Sequence, residues 1–177
     1  MVNIVIKNTP WGYKFAEDVS YKVMRDDPRS GRDIEQFKDE NILGFDMGPC
    51  GVSWIEIGRY TERSSTYSHR VSYADVWFQN DKLVEFKLHS PEWSADRIDA
   101  QLKPWARFAM NKLTAEYGKP TKYYQGIEAL NILDFKSGFS KPFCEWRSGN
   151  DIIQLRYVHA DFKFGVIIKY IDGDVNS

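Results

Sequence analysis

The sequence predicts an α+β fold, a two-layer sandwich in which a mainly antiparallel sheet is covered on one face by a long helix that is kinked or broken. Three observations carry this expectation. The middle and C-terminal thirds alternate apolar and polar residues in short runs, the pattern of half-buried strands. Two pairs of these runs are joined by residues that suit tight turns, Asn80-Asp81 and Ala160-Asp161. Between the two pairs, Ile98, Leu102, Trp105, Ala109, Leu113 and Tyr117 recur at steps of three and four, which gives one apolar helical stripe.

In chain order, residues 2–7 read as an opening strand that Thr9-Pro10-Trp11-Gly12 breaks. Phe15, Val19 and Val23 then predict a short helix over 15–24. The charges and turn formers from Arg25 to Asp33 read as a loop, with Ile34 and Phe37 spaced for one helical turn before Gly44. The whole stretch near 25–50 is therefore expected as a charged loop region, closed by the turn Gly48-Pro49-Cys50-Gly51. Residues 52–60 alternate as a strand. Residues 67–78 and 82–89 form a hairpin around Asn80-Asp81, whose two residues tolerate positive φ. Uninterrupted pairing sets Phe78 against Leu83, Trp77 against Val84, Asp75 against Phe86 and Tyr73 against Leu88. Asp75 then falls in an apolar face.

The long helix starts at Ser94 as N-cap with Asp96 in its first turn, and Pro104 interrupts it. Gly118 ends it, with Pro120 beyond. A strand is expected at 143–147, a turn at Ser148-Gly149-Asn150, and a second hairpin of 152–159 with 162–171. Pairing Tyr157 with Phe164, Leu155 with Val166 and Ile153 with Ile168 puts six apolar residues on one face. The other face carries Gln154, Arg156, Lys163 and Lys169 and is wetter. No repeat and no linker divides the chain, so 1–177 reads as a single domain.

A net charge of −1 sets up no field toward nucleic acid or an anionic membrane, and a dedicated nucleic-acid binder is not expected. Aromatic residues make up 15% of the chain, which suits a β-rich core and also supplies interface anchors. Cys50 and Cys144 lie far apart and form no metal or redox pair, so two free buried thiols in a reducing compartment are expected. No run of about 18 apolar residues predicts a membrane span. The opening apolar run is too short for a signal peptide. Cytoplasmic residence follows as the expectation, with export through a removed signal left open.

His69, His89 and His159 show no ligand spacing, so neither a metal nor a cofactor is expected. Cys50-Gly51-Val52-Ser53-Trp54 resembles a cysteine-protease nucleophile pattern, but a strand follows where that pattern needs a helix. No catalytic residue is assigned. An unpaired carboxylate among Tyr73, Trp77 and Phe86 is costly, so a bulge turns Asp75 outward or a partner such as His69, Arg70 or a tyrosine hydroxyl satisfies it. The stretch from Arg59 to Arg70 mixes Arg, Tyr, His and hydroxyls on a strand connection. It reads either as a recognition surface or as an ordinary solvated hairpin tip. The candidate binding residues are Arg59, Arg63, Tyr67, His69, Arg70, Asp75 and Trp77.

The function these features favour is a non-catalytic binding or accessory protein that recognises a macromolecular partner, of inhibitor, immunity or adaptor type, with another protein as the expected partner. The alternative is a small-ligand binder or small hydrolase using Asp75, His69 and Arg70. A homo-oligomer pairing through a sheet edge or the wet face is the third reading.

Pro10-Trp11-Gly12 before Glu17-Asp18-Val19, the hairpin with Asp81-Lys82-Leu83, the helix end Tyr117-Gly118-Lys119-Pro120, and Trp146 before the Ile153–Leu155–Tyr157 strand together carry a resemblance. The chain resembles a set of small bacterial α+β proteins, many exported or lipid-anchored and most without assigned function. The resemblance implies the fold and carries no catalytic residue across. The chain departs from the set in its opening and in the longer charged segment near 24–50.

Overall fold

The computed structural model describes residues 20–28, 30–39, 42–47, 56–62, 65–130, 138–149 and 151–172; for 30–39, 42–47, 56–62, 65–69, 139 and 148 it describes backbone course and pairing alone. The expected strand at 2–7, the break at 9–12, the first half of the helix at 15–24, and the turn and strand start at 48–55 lie outside the described residues.

Ten strands are described. β1 (Ser30–Asp39), β2 (Ile42–Met47), β5 (Tyr73–Gln79), β6 (Lys82–His89), β7 (Lys122–Tyr123), β8 (Phe139–Ser148), β9 (Asp151–Ala160) and β10 (Lys163–Ile171) form one sheet in the order β1-β2-β5-β6-β10-β9-β8-β7, antiparallel throughout. β3 (Glu56–Glu62) and β4 (Ser65–Arg70) pair only with each other. The helices are α1 (Tyr21–Arg25) and α2 (Lys103–Tyr117). The long helix covers one face of the sheet, packing over β9 and β10, and it also meets β3. This is the expected α+β sandwich, with the β3–β4 hairpin added.

The helix is irregular where proline predicts it. Ser94 occupies the N-cap in extended backbone, its hydroxyl bonded to Asp96, and a 3₁₀ turn (Ala95–Arg97) leads into a π turn (Ile98–Leu102). Pro104 sits in the first turn of the regular helix and has no N–H to give the preceding turn, so the irregular turns come before it. Ile98, Leu102, Trp105, Ala109 and Leu113 are buried as the stripe predicts, Tyr117 is half-buried against the same core, and Ala106 is buried beside them. Gly118 ends the helix at φ +84, its N–H returning to the Thr114 carbonyl, and its own carbonyl accepts from Trp146 Nε1 at 2.7 Å.

Four expectations are corrected. Residues 30–39 and 42–47 are not a charged loop, and Ile34 and Phe37 are not on a helical turn: these stretches are the paired strands β1 and β2 at the sheet margin. Charge density is what native edge strands carry to discourage further pairing, so it misreads as loop. The strand expected over 67–78 is two strands. Val71 and Ser72 step from the β3–β4 hairpin into the main sheet, where Ser72 N donates to the His89 carbonyl at 2.7 Å.

The other two corrections concern register. Asn80 and Asp81 do form the first turn, with φ of 49° and 62°, and Phe78 faces Leu83. A bulge then adds a residue in β6, so Trp77 faces Glu85, Val76 faces Phe86 and Asp75 faces Lys87. The core face is Ala74, Val76, Phe78, Leu83, Phe86 and Leu88, while Tyr73, Asp75 and Trp77 point to the other side with His89. In the second hairpin the turn is Asp161-Phe162, one residue later than expected, and Tyr157 faces Val166, Leu155 faces Ile168 and Ile153 faces Tyr170. Moving a turn by one residue shifts each partner by two, so the faces survive.

Candidate functional site

The bulge in β6 puts one polar row straight across the side of the sheet opposite its apolar core face. Asp75, Lys87, Lys169, Gln154, Glu145 and Lys122 stand opposite one another in turn on β5, β6, β10, β9, β8 and β7. Lys169 pairs diagonally with Glu85 at 3.0 Å. Two hollows open along this side.

The first lies where β6 leaves β10. Ser90 N still donates to the Val166 carbonyl at 2.9 Å, but the returning bond goes from Val166 N to the Ser90 hydroxyl, at 2.8 Å. That hydroxyl in turn donates to the Pro91 carbonyl at 2.7 Å. Ladder bonding resumes at Trp93 and Phe164, with both bonds at 2.8 Å. The segment bowed out between them leaves a cavity of about 190 Å³ above Gly165, walled by Tyr73, His89, Glu92, Val158 and Lys163.

At its edge, His89 Nε2 lies 2.6 Å from Asp75 Oδ2, with the two side chains 13% and 15% exposed. Tyr73 stacks on the imidazole at 4.0 Å. Asp75 is therefore turned outward by a bulge and also has a histidine partner, and that histidine is His89 rather than His69. With the Ser90 hydroxyl committed to the backbone, no hydroxyl nucleophile is poised against His89 among these groups.

The second hollow, of about 480 Å³, is open and is lined by Lys122, Tyr124, Glu145 and Arg147. Glu145 is 3% exposed. It accepts from Gln154 at 2.9 Å, Tyr124 at 3.1 Å and Arg147 at 3.3 Å. Burial, the largest single influence, pushes its carboxyl upward, but the Gln154 and Tyr124 bonds and the Arg147 charge together outweigh it and hold it below the ordinary value. A carboxylate so held stays ionised at neutral pH and has no proton to give as a general acid. Beside it, burial foremost and then the Glu145 charge push the Cys144 thiol up to about 12, which leaves it protonated and inert.

The third feature is the tip of the β9–β10 hairpin. Phe162 is 87% exposed and takes φ +62°, a left-handed conformation that a bulky residue adopts at a cost of about 1–2 kcal/mol. On either side of the turn, Ala160 and Lys163 line the cavity above Gly165.

Of the residues singled out from sequence, Asp75 and Trp77 lie on the same side of β5, Trp77 buried opposite Glu85. Arg70 is exposed, and its carbonyl accepts from Trp105 Nε1 at 3.0 Å. Arg59 stands opposite Ser68, Tyr67 opposite Tyr60 and His69 opposite Gly58 on the separate hairpin. Arg63 and Cys50 lie outside the described residues. The structure thus brings Asp75 to His89 at the sheet and leaves His69 and Arg70 on another element. Phe162 gave no signal to sequence reasoning because an Asp-Phe turn is disfavoured. His89 was hidden by the bulge.

Among the described residues no group of three or more His, Cys, Asp or Glu side chains is placed to hold a metal. No helix among them is long and apolar enough to cross a membrane. No family model, no curated protein and no solved structure matches the chain.

Proposed function

We propose that this chain is a non-catalytic binding protein that recognises another protein through the end of the sheet where the β9–β10 hairpin turns. The observation that carries this reading is Phe162. An aromatic ring that is 87% exposed, at a backbone position that asparagine or glycine fills more easily, stabilises nothing inside the molecule. Aromatic anchors of this kind supply much of the energy of protein interfaces. Arg59, Tyr67, His69 and Arg70 on the β3–β4 hairpin are candidates for a second contact, Arg70 by its exposure. The inert Cys144 thiol fits residence in a reducing compartment.

The test is capture of a partner by the immobilised chain, with Phe162→Asn and Tyr67→Ala as parallel variants. Loss on Phe162→Asn with an unchanged fold is the expected result. Undiminished capture by that variant removes the hairpin tip as the surface.

A second reading, a small-ligand binder or hydrolase, is favoured by one observation, the Asp75–His89 pair beside the 190 Å³ cavity. A carboxylate that orients an imidazole is the geometry of a general base. Turnover of ester or amide substrates that disappears in His89→Gln distinguishes it from the first.

A further inference from the structure

We infer that the open hollow at the β7–β8 margin is an anion site, in which Arg147 and Lys122 hold the phosphate group of a phosphomonoester. The site is separate from the protein-binding surface proposed at Phe162. Gln154, bonded to Glu145, lies near one end of β9 and Ala160 at the other, roughly 20 Å away. β7 sets Lys122 directly opposite Glu145, and Arg147 follows Glu145 by two positions on the same face of β8. Lys122 and Arg147 are therefore diagonal neighbours, a spacing that long side chains bridge, and both line the hollow of about 480 Å³. Thr121 fixes the two strands against each other. Its N–H and its hydroxyl donate to the Glu145 carbonyl at 2.8 and 3.1 Å, and the hydroxyl accepts from Arg147 N at 3.0 Å.

The bonding leaves both cations available to a ligand. Among the described residues that line the hollow, Glu145 alone is acidic, and its carboxylate is already supplied with donors. Gln154 and Tyr124 donate to Oε2, and Arg147 Nε donates to Oε1. The last bond anchors a guanidinium that is itself 52% exposed. Arg147 Nη1 and Nη2 bond no group among the described residues. These two nitrogens form the end-on fork that matches two oxygens of a phosphate. Lys122 Nζ rests on the Tyr124 ring at 4.4 Å and has no ion-pair partner among the described residues. Its ammonium can serve a third oxygen, which a phosphomonoester has and a carboxylate lacks. Gly149 adds no side chain at the margin, so the open volume has room for the ester substituent.

Calorimetric titration of the full chain with phenyl phosphate tests this. The expected result is saturable binding at one site, lost in Arg147→Gln with circular dichroism unchanged. Arg147→Lys keeps the charge without the fork, and Lys122→Gln removes one donor, so each should weaken binding about tenfold. Lys112→Gln takes an equal charge from the exposed side of α2 and should change nothing. Binding should weaken as pH falls through about 6, where the phosphate dianion gains a proton. Sulfate, a dianion throughout, should show no such change, because the hollow holds no histidine and Glu145 titrates lower. Retention on phosphatidic acid vesicles without binding of phenyl phosphate, if lost in Arg147→Gln, keeps the site and puts its phosphate on a lipid. Failure of both probes to bind overturns the inference. So does binding indifferent to Arg147→Gln, an equal loss in Lys112→Gln, or acetate held as tightly as the phosphate.

Discussion

The β5–β6 and β9–β10 hairpins turn on nearly the same backbone, φ of 49° and 62° at Asn80-Asp81 and 50° and 62° at Asp161-Phe162. Their tips have different fates. Asp81 accepts from Tyr21 N at 2.9 Å, and together with the Ser20 hydroxyl, which accepts from Val23 N at 3.3 Å, it satisfies the free amides that open α1. Tyr21 also packs edge-on against Phe78, so this turn is docked by the chain itself. The second turn carries Phe162 into solvent. Where the first hairpin uses residues suited to positive φ, the second uses one that is not. The contrast is between a turn held by the chain's own α1 and a turn whose aromatic ring has no such support.

The hairpins also differ in register, and substitutions at adjacent positions break or keep that distinction. With the bulge in β6, Val76 faces the core at 0% exposure and Asp75 faces outward. Val76→Asp buries an unpaired charge and should cost more than about 4 kcal/mol, enough to prevent folding. Asp75→Ala removes the bond to His89 without burying a charge and should cost about 1.5–3 kcal/mol with the fold retained. Denaturant melts of both variants check the order, and the reverse order would restore the uninterrupted register.

How much was legible follows from the same parity. Alternation alone puts the turn of the C-terminal hairpin one residue early, yet Tyr157, Leu155, Val166 and Ile168 all keep their face, because a one-residue shift of the turn moves partners by two. One extra residue in β6 inverted a face instead, and no composition or alternation signal marks a bulge between Trp77 and Phe78. The helix was legible to its caps because Ser94, Pro104 and Gly118 act locally. The β1–β2 hairpin was not, because strand pairing at an edge is decided by the neighbouring strand rather than by the charges on its own sequence. The candidate site was the least legible part. His89, Glu92 and Gly165 come together only once β6 bows away from β10.

A smaller effect separates the two hollows along the polar row. Glu145 is held below its ordinary value of about 4.5 in the folded chain, so its contribution to stability is complete above that value and is lost as pH falls through the folded one. Acid unfolding should therefore be less steep below about pH 4.5 in Glu145→Gln, which cannot titrate. That variant should also be less stable at pH 7, since its amide no longer matches the three donors. Asp75→Asn serves as the reference from the first hollow. Identical pH slopes for wild type and Glu145→Gln would show that the Glu145 network does not govern acid stability.

The smallest effect is the most informative, because its sign is unusual. Most substitutions destabilise, but Phe162→Asn replaces an exposed ring at positive φ with a residue that tolerates that backbone. It should raise stability by about 1 kcal/mol, read as a higher midpoint in a urea melt of dilute, monomeric protein. The matching change in the other tip, Asp81→Phe, should lower stability, because it adds the same strain and removes the acceptor for Tyr21 N. Opposite signs at two turns of nearly equal geometry would mean that Phe162 is kept at a cost to folding, as a contact residue is. A destabilised Phe162→Asn would mean instead that the ring supports its own hairpin, and the argument for an interface at this tip would lose its footing.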